Sequence, residues 1–213
     1  LAHEGYPGHL FQNCYFREKN KHPLRYVLNF PAYTEGYATY AEIYSYQFLD
    51  ATKEEIDILQ VGARNMQNYT LLQALGRQPK PVLLKRGLAA TYEEWLASAE
   101  YILREGNPHV ILCERGIRSY QSGTRATLDL AAIPVMQGLT HLPVLVDPSH
   151  ASGAAGWIPA LGRAAIAAGA GGLMVEVHTN PAQALSDGEQ ALLPQDFARL
   201  AADAHKIWGL LHP

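Results

Sequence analysis

Four basic residues with the chemistry to hold an anion follow short apolar runs of the chain. The runs lie at 56–61, 81–84 and 110–113, and the basic residues that follow them are Arg64, Lys85, Arg86 and Arg115. Guanidinium and ammonium groups bind phosphate and carboxylate oxygens strongly. The spacing therefore predicts a site for a small substrate with two anionic groups. The alternative interpretation is that each cation pairs with a neighbouring carboxylate such as Glu114.

A second set of polar residues suits a metal ion. His150 and Glu176 follow two later apolar runs, and Asp187 lies in the next connection. An imidazole and two carboxylates form a donor set for Mn²⁺, Fe²⁺ or Zn²⁺. From spacing alone other roles fit as well, because a histidine after Asp-Pro-Ser is equally suited to hydrogen bonding within a loop. Asp187, which precedes Gly188, also fits a turn.

The elements that must position these residues are predicted to be parallel strands joined by helices. Strands that are apolar throughout are typical of a parallel sheet covered on both faces. Helical periodicity occurs between them at 92–105 and 158–168. The predicted strands are 56–61, 81–84, 110–113, 143–146 and 173–175.

The residues after the strands favour a barrel over a doubly wound sheet. Every run is followed by polar, mostly charged residues, and in a (β/α)8 barrel all strand C-termini surround one mouth. A doubly wound sheet concentrates its ligand groups at one switch point and usually carries a Gly-rich phosphate loop, which the sequence lacks. We therefore predict an α/β fold built from the βα units of a TIM barrel.

Composition excludes several classes of partner. The 213 residues are 48% apolar and 17% charged, with a net charge of -3. This composition favours a folded domain and provides no basic field for nucleic acid or an anionic membrane. Cys14 and Cys113 form neither a CxxC pair nor a disulfide framework, and the sequence contains no signal peptide pattern or membrane-spanning stretch. We expect a cytoplasmic protein that binds small molecules.

The chain divides into two parts of different composition. Tyrosine is concentrated in the first 46 residues, whereas alanine and glycine are concentrated in the second half. The predicted organisation is a short helical fragment at 1–50, a junction at 51–55 and a partial barrel at 56–213. The junction contains no Pro/Gly/Ser linker and resembles a fusion point or a chimeric reading frame.

Six short segments of the second part carry a specific resemblance. They are GARNMQN at 62–68, KRG at 85–87, CERGIR at 113–118, DPSHA at 147–151, EVH at 176–178 and SDGEQ at 186–190. In order and spacing they resemble the short, core-type class of 3-deoxy-7-phosphoheptulonate (DAHP) synthases. The related 3-deoxy-octulosonate 8-phosphate synthases share the ERG and SDG elements, but ARNMQN and KRG favour DAHP synthase. The resemblance covers about 54–213 and implies the last five βα units of an eight-stranded barrel.

This resemblance implies a transferase that condenses phosphoenolpyruvate with erythrose 4-phosphate at the entry to the shikimate pathway of aromatic amino-acid synthesis. The residues that would hold phosphoenolpyruvate are Arg64, Lys85, Arg86 and Arg115, with the backbone of Ala63 nearby. Glu114 would orient Arg115 or assist the attacking water. Lys85, Glu114 and Arg115 are therefore the candidate catalytic residues.

The resemblance also implies a divalent metal, Mn²⁺, Fe²⁺ or Zn²⁺, held by His150, Glu176 and Asp187. The metal would act as a Lewis acid toward the aldehyde or orient it.

The family's first three strands, with a cysteine metal ligand and a Lys-Pro-Arg-Thr segment, have no counterpart in the sequence. Cys14 lies in an unrelated context. An open five-stranded sheet would leave two edges and one apolar face uncovered. We therefore expect weak or no synthase activity, and a homo-oligomer or self-association through the open edges.

The N-terminal part carries a different resemblance. HEGYPGH at 3–9 and TEGYATYAE at 34–42 resemble a family of presumed bacterial zinc metallopeptidases. By that likeness His3, His9 and Glu35 would bind Zn²⁺, and Glu4 would be the general base. The spacing departs from HExxH, since positions i and i+6 do not share a helical face. The alternative is a tyrosine-rich helical pair that packs on the available surface.

Three hypotheses of different classes follow. The first is a DAHP synthase-like transferase, the second a zinc peptidase or zinc-binding segment at the N-terminus, and the third a chimera without function. Metal analysis separates the first two, because bound zinc would be lost on His3→Ala in one case and on His150→Ala in the other.

Overall fold

A five-stranded parallel sheet forms the centre of the structure. The computed structural model describes residues 57–212. The strands are β1 (Leu59–Val61), β2 (Val82–Lys85), β3 (Val110–Glu114), β4 (Val144–Val146) and β5 (Gly172–Leu173), and they pair in that order. Strands that neighbour one another in chain order are the arrangement of a (β/α)8 barrel, whereas a doubly wound sheet reverses its order at a switch point. The predicted α/β fold with a partial barrel is confirmed.

Helices connect the strands and cover one side of the sheet. They are α1 (Tyr69–Gly76), α2 (Tyr92–Arg104), α3 (Ala132–Leu139), α4 (Pro148–Ser152), α5 (Ile158–Ala167) and α6 (Pro194–Leu211). The start of α2 is fixed by a capping box in which Thr91 and Glu94 each accept the other's backbone N–H. The helices predicted at 92–105 and 158–168 are thus confirmed. Within 57–212 none of the helices is long and apolar enough to cross a bilayer.

Alternate residues of each strand face opposite sides of the sheet, because side chains in a strand have a period of two. One set, which includes Val61, Leu84, Leu112 and Val146, is fully buried and belongs to the main core with residues of the helices. Trp95 of α2 is also fully buried, and its indole N–H donates to the carbonyl of Leu84 at 3.2 Å. This is the helix side of the sheet.

The other set of strand residues faces what would be the interior of a complete barrel. The register places Lys85, Cys113, Leu145 and Gly172 in one row across four strands. Lys85 is the last residue of β2, so its side chain lies at the carboxyl end of that strand. The register therefore directs Lys85 toward the mouth, the end at which barrel proteins place their ligands.

Candidate active site

The predicted site residues after 56 lie at or just beyond the carboxyl ends of the strands. Ala63 and Arg64 form part of a 3-10 turn after β1, Lys85 ends β2, Glu114 ends β3, His150 lies in α4 after β4, and Glu176 follows β5. Asp187 precedes a 3-10 turn at Gly188–Gln190. The elements thus bring both predicted sets to one end of the sheet.

Lys85 and Arg115 are buried cations on the inner side. The ammonium of Lys85 donates to Oδ2 of Asp147 at 2.8 Å, and both side chains are almost fully buried. Arg115 donates from Nη2 to the backbone carbonyl of His150 at 3.4 Å. Because both lie in a medium of low dielectric constant, each would interact strongly with an anion.

The guanidinium of Arg115 lies among other charges. Burial lowers its pKa from the ordinary value, and the positive charges of Arg125 and Arg64 lower the pKa further, although Asp147 opposes this effect. The positive charges that lower the pKa of Arg115 repel its guanidinium. A phosphate or carboxylate between them would remove the repulsion, so the arrangement is suited to an anion.

Arg86 has its contacts on the helix side of the sheet. One of its terminal nitrogens, Nη1, donates to Oε2 of Glu114 at 3.0 Å and to Oδ2 of Asp129 at 2.8 Å. Its Nε donates to the carbonyl of Ala90, and its guanidinium lies 4.6 Å from the ring centre of Tyr92. Burial alone would lower the pKa of Arg86, but Asp129 and Glu114 raise it above the ordinary value. For this residue the contacts match the alternative interpretation, pairing with Glu114, and its role in substrate binding stays a prediction.

Glu114 is fully buried, and both of its oxygens accept hydrogen bonds. Oε1 accepts the backbone N–H of Gly116 at 2.6 Å and that of Asp129 at 3.4 Å, while Oε2 accepts from Arg86. Burial raises its pKa, against the attraction of Arg86. These contacts tie the two ends of the β3–α3 connection to the end of β3. Its predicted action on Arg115 or on a water stays a prediction.

The three predicted metal ligands converge. Nε2 of His150 lies 3.8 Å from Oε1 of Glu176 and 3.8 Å from Oδ2 of Asp187. One donor atom from each residue can be chosen so that all three lie within 4.8 Å of one another. At 3.8 Å the imidazole makes no direct hydrogen bond with either carboxylate. One nitrogen and two oxygens around a common space fit a divalent transition metal.

Neighbouring residues hold these ligands in place. The backbone N–H of Glu176 donates to Oγ of the buried Ser149 at 3.0 Å. Asp187 has a left-handed backbone with φ 54°, the only positive φ of a non-glycine residue within 57–212. Arg125 lies 3.6 Å from Oδ1 of Asp187 and donates to Oε1 of Gln190 at 2.8 Å. Ligand positions fixed by outer contacts of this kind are typical of metal sites.

Sequence reasoning passed over Asp147, Ser149, Arg125 and Asp129 as site residues. For Asp147 a signal existed, because it continues the inner alternation of β4 just as Lys85 does on β2. For Arg125 and Asp129 no signal existed, since they lie in a long connection whose path cannot be derived from periodicity.

The predicted N-terminal zinc site, with His3, Glu4, His9 and Glu35, lies outside the described residues and stays a prediction. Cys14 and the proposed junction at 51–55 also lie outside the described residues.

The sheet and the site together define a TIM-barrel-type α/β protein whose candidate anion and metal ligands lie at the carboxyl ends of its strands. A family model described as the DAHP synthetase I family matches residues 13–210. The chain belongs to this family, which confirms at family level the resemblance drawn from the six segments.

Individual relatives agree with this assignment. Phospho-2-dehydro-3-deoxyheptonate aldolase of Thermotoga maritima is 52% identical over 159 residues, which make up 75% of this chain and 47% of the relative. A 2-dehydro-3-deoxyphosphooctonate aldolase of Acidithiobacillus ferrooxidans is 32% identical over 73% of this chain and 58% of its own length. The chain thus spans about half the length of the curated relatives it matches.

Solved structures give the same result for the fold. The crystal structure of the Thermotoga maritima enzyme superposes with a TM-score of 0.72 over 74% of this chain and 47% of that one. A truncated form of the 3-deoxy-D-arabino-heptulosonate 7-phosphate synthase from the same organism also superposes with a TM-score of 0.72, over 60% of its chain. Both are 52% identical to this chain.

Proposed function

We propose that this chain carries the phosphoenolpyruvate-binding and metal-binding part of a DAHP synthase site. The reaction would be the condensation of phosphoenolpyruvate with erythrose 4-phosphate, as part of aromatic amino-acid synthesis. The observation that carries the proposal is that two buried cations, Lys85 and Arg115, lie at the same strand ends as the converging side chains of His150, Glu176 and Asp187.

The cations have the charge and placement to hold phosphoenolpyruvate. This substrate has a phosphate and a carboxylate, and Arg64, Lys85 and Arg115 lie at or just after the carboxyl ends of three successive strands. Their guanidinium and ammonium groups would neutralise both anions, with the backbone of Ala63 beside Arg64. Because Lys85 and Arg115 are buried, they would hold the substrate in one orientation.

The second group of side chains would hold the divalent metal. His150 would contribute a ring nitrogen, and Glu176 and Asp187 one carboxylate oxygen each. A bound Mn²⁺, Fe²⁺ or Zn²⁺ supplies Lewis-acid activation or orientation of the aldehyde. Arg125, which contacts Asp187, would limit the movement of that carboxylate.

The atoms of the proposed reaction balance without a further co-reactant. A carbon–carbon bond forms between the methylene carbon of phosphoenolpyruvate and the aldehyde carbon, water adds to the carbon that carries the phosphate, and inorganic phosphate leaves. Lys85 and Arg115 would stabilise the charge on the phosphate and carboxylate during these steps. Glu114 acts in this proposal through the backbone of the loop that follows Arg115.

The proposal also specifies the length of the aldehyde substrate. One relative is named for a seven-carbon product and another for an eight-carbon product. The higher identity to the first, 52% against 32%, and the segments ARNMQN and KRG favour the four-carbon aldehyde. A five-carbon aldose phosphate is the alternative.

The first experiment measures binding. Thermal unfolding of the purified chain is followed with Mn²⁺ and with millimolar phosphoenolpyruvate, because a ligand that binds only the folded form raises the unfolding temperature. We expect both to stabilise the wild type, His150→Ala to abolish the effect of Mn²⁺, and Arg115→Ala to abolish that of phosphoenolpyruvate. Arg77→Ala, whose exposed side chain pairs with Glu105, is the control. A wild type that responds to neither ligand would contradict the proposal and favour a chain without this function.

The second experiment measures turnover. Loss of the ultraviolet absorbance of phosphoenolpyruvate is followed with Mn²⁺ and either erythrose 4-phosphate or a five-carbon aldose phosphate. We expect consumption only with the four-carbon aldehyde, at a rate well below that of an intact synthase. A rate equal to that of an intact synthase would contradict the expected impairment. Faster reaction with the five-carbon substrate would contradict the assigned aldehyde.

A further inference from the structure

Asp147 lies between the two halves of the site. Its Oδ2 accepts from the ammonium of Lys85 at 2.8 Å and lies 2.8 Å from Nδ1 of His150. Its Oδ1 accepts the backbone N–H of His150 at 2.9 Å, at the start of α4. Its own backbone N–H donates to the carbonyl of Glu114 at 2.7 Å. A single, fully buried carboxylate thus contacts a cation of the anion site and a ligand of the metal site.

We propose that Asp147 is a positioning residue that couples phosphoenolpyruvate binding to metal binding, by sharing one carboxylate oxygen between Lys85 and His150. The inference rests on the proposed function, since it concerns the same two ligands. It assigns a role to a residue that touches neither ligand.

The geometry of His150 explains how the sharing would work. Nδ1 of His150 is buried and lies 2.8 Å from Oδ2 of Asp147, the oxygen that also contacts the ammonium of Lys85. The ammonium of Lys85 and the imidazole of His150 therefore interact with the same carboxylate oxygen. A buried polar nitrogen depends on its hydrogen-bond partner, so a change that strengthens the contact between Nδ1 and Oδ2 is favourable.

Phosphoenolpyruvate would supply that change. An anion bound beside Lys85 draws the ammonium toward itself and reduces its hold on Oδ2 of Asp147. Oδ2 is then attracted less by Lys85 and accepts a stronger hydrogen bond from Nδ1–H of His150. This hydrogen bond fixes the tautomer in which Nε2 carries the lone pair, on the side of Glu176 and Asp187, and it is the outer contact that metal-binding histidines usually have. Each ligand therefore strengthens the binding of the other, because coupling of this kind is reciprocal.

The test uses Asp147→Asn in the full chain. Asparagine has the same shape and remains a good N-cap for α4, but it lacks the negative charge. The dissociation constant of Mn²⁺ is measured by electron paramagnetic resonance without and with saturating phosphoenolpyruvate, and that of phosphoenolpyruvate by calorimetry without and with Mn²⁺. In the wild type we expect each ligand to tighten the other by about 5-fold or more, the lower end of typical couplings. In Asp147→Asn we expect this ratio to fall to about 1.

A matched control is Ser149→Ala. Ser149 accepts the backbone N–H of Glu176, so its loss should weaken Mn²⁺ binding, but it is not among the residues that contact Lys85. We expect the coupling ratio to stay at the wild-type value. If Asp147→Asn fails to fold, as judged by circular dichroism, Asp147→Ser replaces it, because serine is also a good N-cap and also removes the carboxylate, and the ratio should again fall to about 1.

The outcomes separate this inference from the proposed function. A wild type that binds both ligands with a ratio of 1, or an Asp147→Asn variant that keeps the wild-type ratio, overturns the coupling and leaves the function intact. A wild type that binds neither ligand overturns the proposed function itself. Equal loss of coupling in Ser149→Ala and Asp147→Asn would overturn the specific role of Asp147.

Discussion

Charged residues that are adjacent in a strand place their side chains on opposite sides of the sheet. Lys85 follows the inner alternation of β2 and contacts Asp147 near the mouth, whereas Arg86 turns to the helix side and pairs with Glu114 and Asp129. The two cations are adjacent in sequence and alike in charge, yet Lys85 pairs with a carboxylate at the mouth and Arg86 pairs with two carboxylates on the helix side. At the residue scale, therefore, the alternation of the strand directs the two cations to different carboxylates on opposite sides of the sheet.

Arg86→Ala tests whether Arg86 stabilises the fold by pairing with Glu114 and Asp129. We expect the change to reduce the free energy of unfolding by about 3–5 kcal/mol, because it leaves the buried carboxylate of Glu114 without its cation. Chemical denaturation provides the measurement, with Arg77→Ala as an exposed control that should change stability little. A stable Arg86→Ala variant that has lost affinity for phosphoenolpyruvate would instead assign Arg86 to the substrate.

At the scale of elements, the connection between β3 and α3 closes one side of the site. Ile117 and Thr127 pair as an antiparallel bridge, and Ala126 donates to the carbonyl of Ala151 in α4 at 2.8 Å. Gly116 begins this connection with φ 91°, and a Cβ there would lie 2.7 Å from Cβ of Ala126. The connection therefore depends on a glycine to pack against α4, the helix that carries His150.

Gly116→Ala tests this packing. The new methyl group would meet Ala126, and the left-handed backbone would strain any side chain, so we expect a loss of about 1–3 kcal/mol in stability. We also expect weaker binding of phosphoenolpyruvate, because Arg115 is the preceding residue. Thermal unfolding with and without the ligand measures both effects. Gly123→Ala is the matched control in the same connection, since a Cβ there meets no atom within 4 Å, and equal effects of the two changes would refute the argument.

The elements were predicted from the sequence better than the contacts between them. The run at 110–113 and the helical period at 92–105 follow from local patterns of apolar residues, and the structure has β3 at Val110–Glu114 and α2 at Tyr92–Arg104. The convergence of His150, Glu176 and Asp187 was implied by the resemblance, because spacing alone fitted a turn equally well. The pairing of Arg86 with Asp129 depends on the path of a long connection, which no local pattern determines.

At the scale of the whole molecule, the described sheet has two edges. Within 57–212, β1 pairs only with β2, and β5 only with β4. Edge strands offer backbone hydrogen-bonding groups to other chains, and Ile58, beside β1, exposes 45% of its surface. The predicted homo-oligomer or self-association through these edges is therefore best tested at Ile58.

Ile58→Lys should reduce self-association, because a charge at an edge disfavours pairing with another strand. Sedimentation velocity over a range of protein concentrations measures the effect. We expect the wild type to shift toward larger species as concentration rises, and the variant to shift less. Val135→Lys, at an exposed site on α3, should behave as the wild type. A wild type that stays monomeric throughout would contradict the prediction.

The backbone of Asp187 has a consequence for the energetics of metal capture. A residue other than glycine held at φ 54° costs about 1–3 kcal/mol, and here the chain bears that cost when the loop folds. In the proposed metal site, the carboxylate would thus already be in place before an ion arrives, and binding would not have to order it. Preorganisation of this kind favours affinity at the expense of the stability of the free protein.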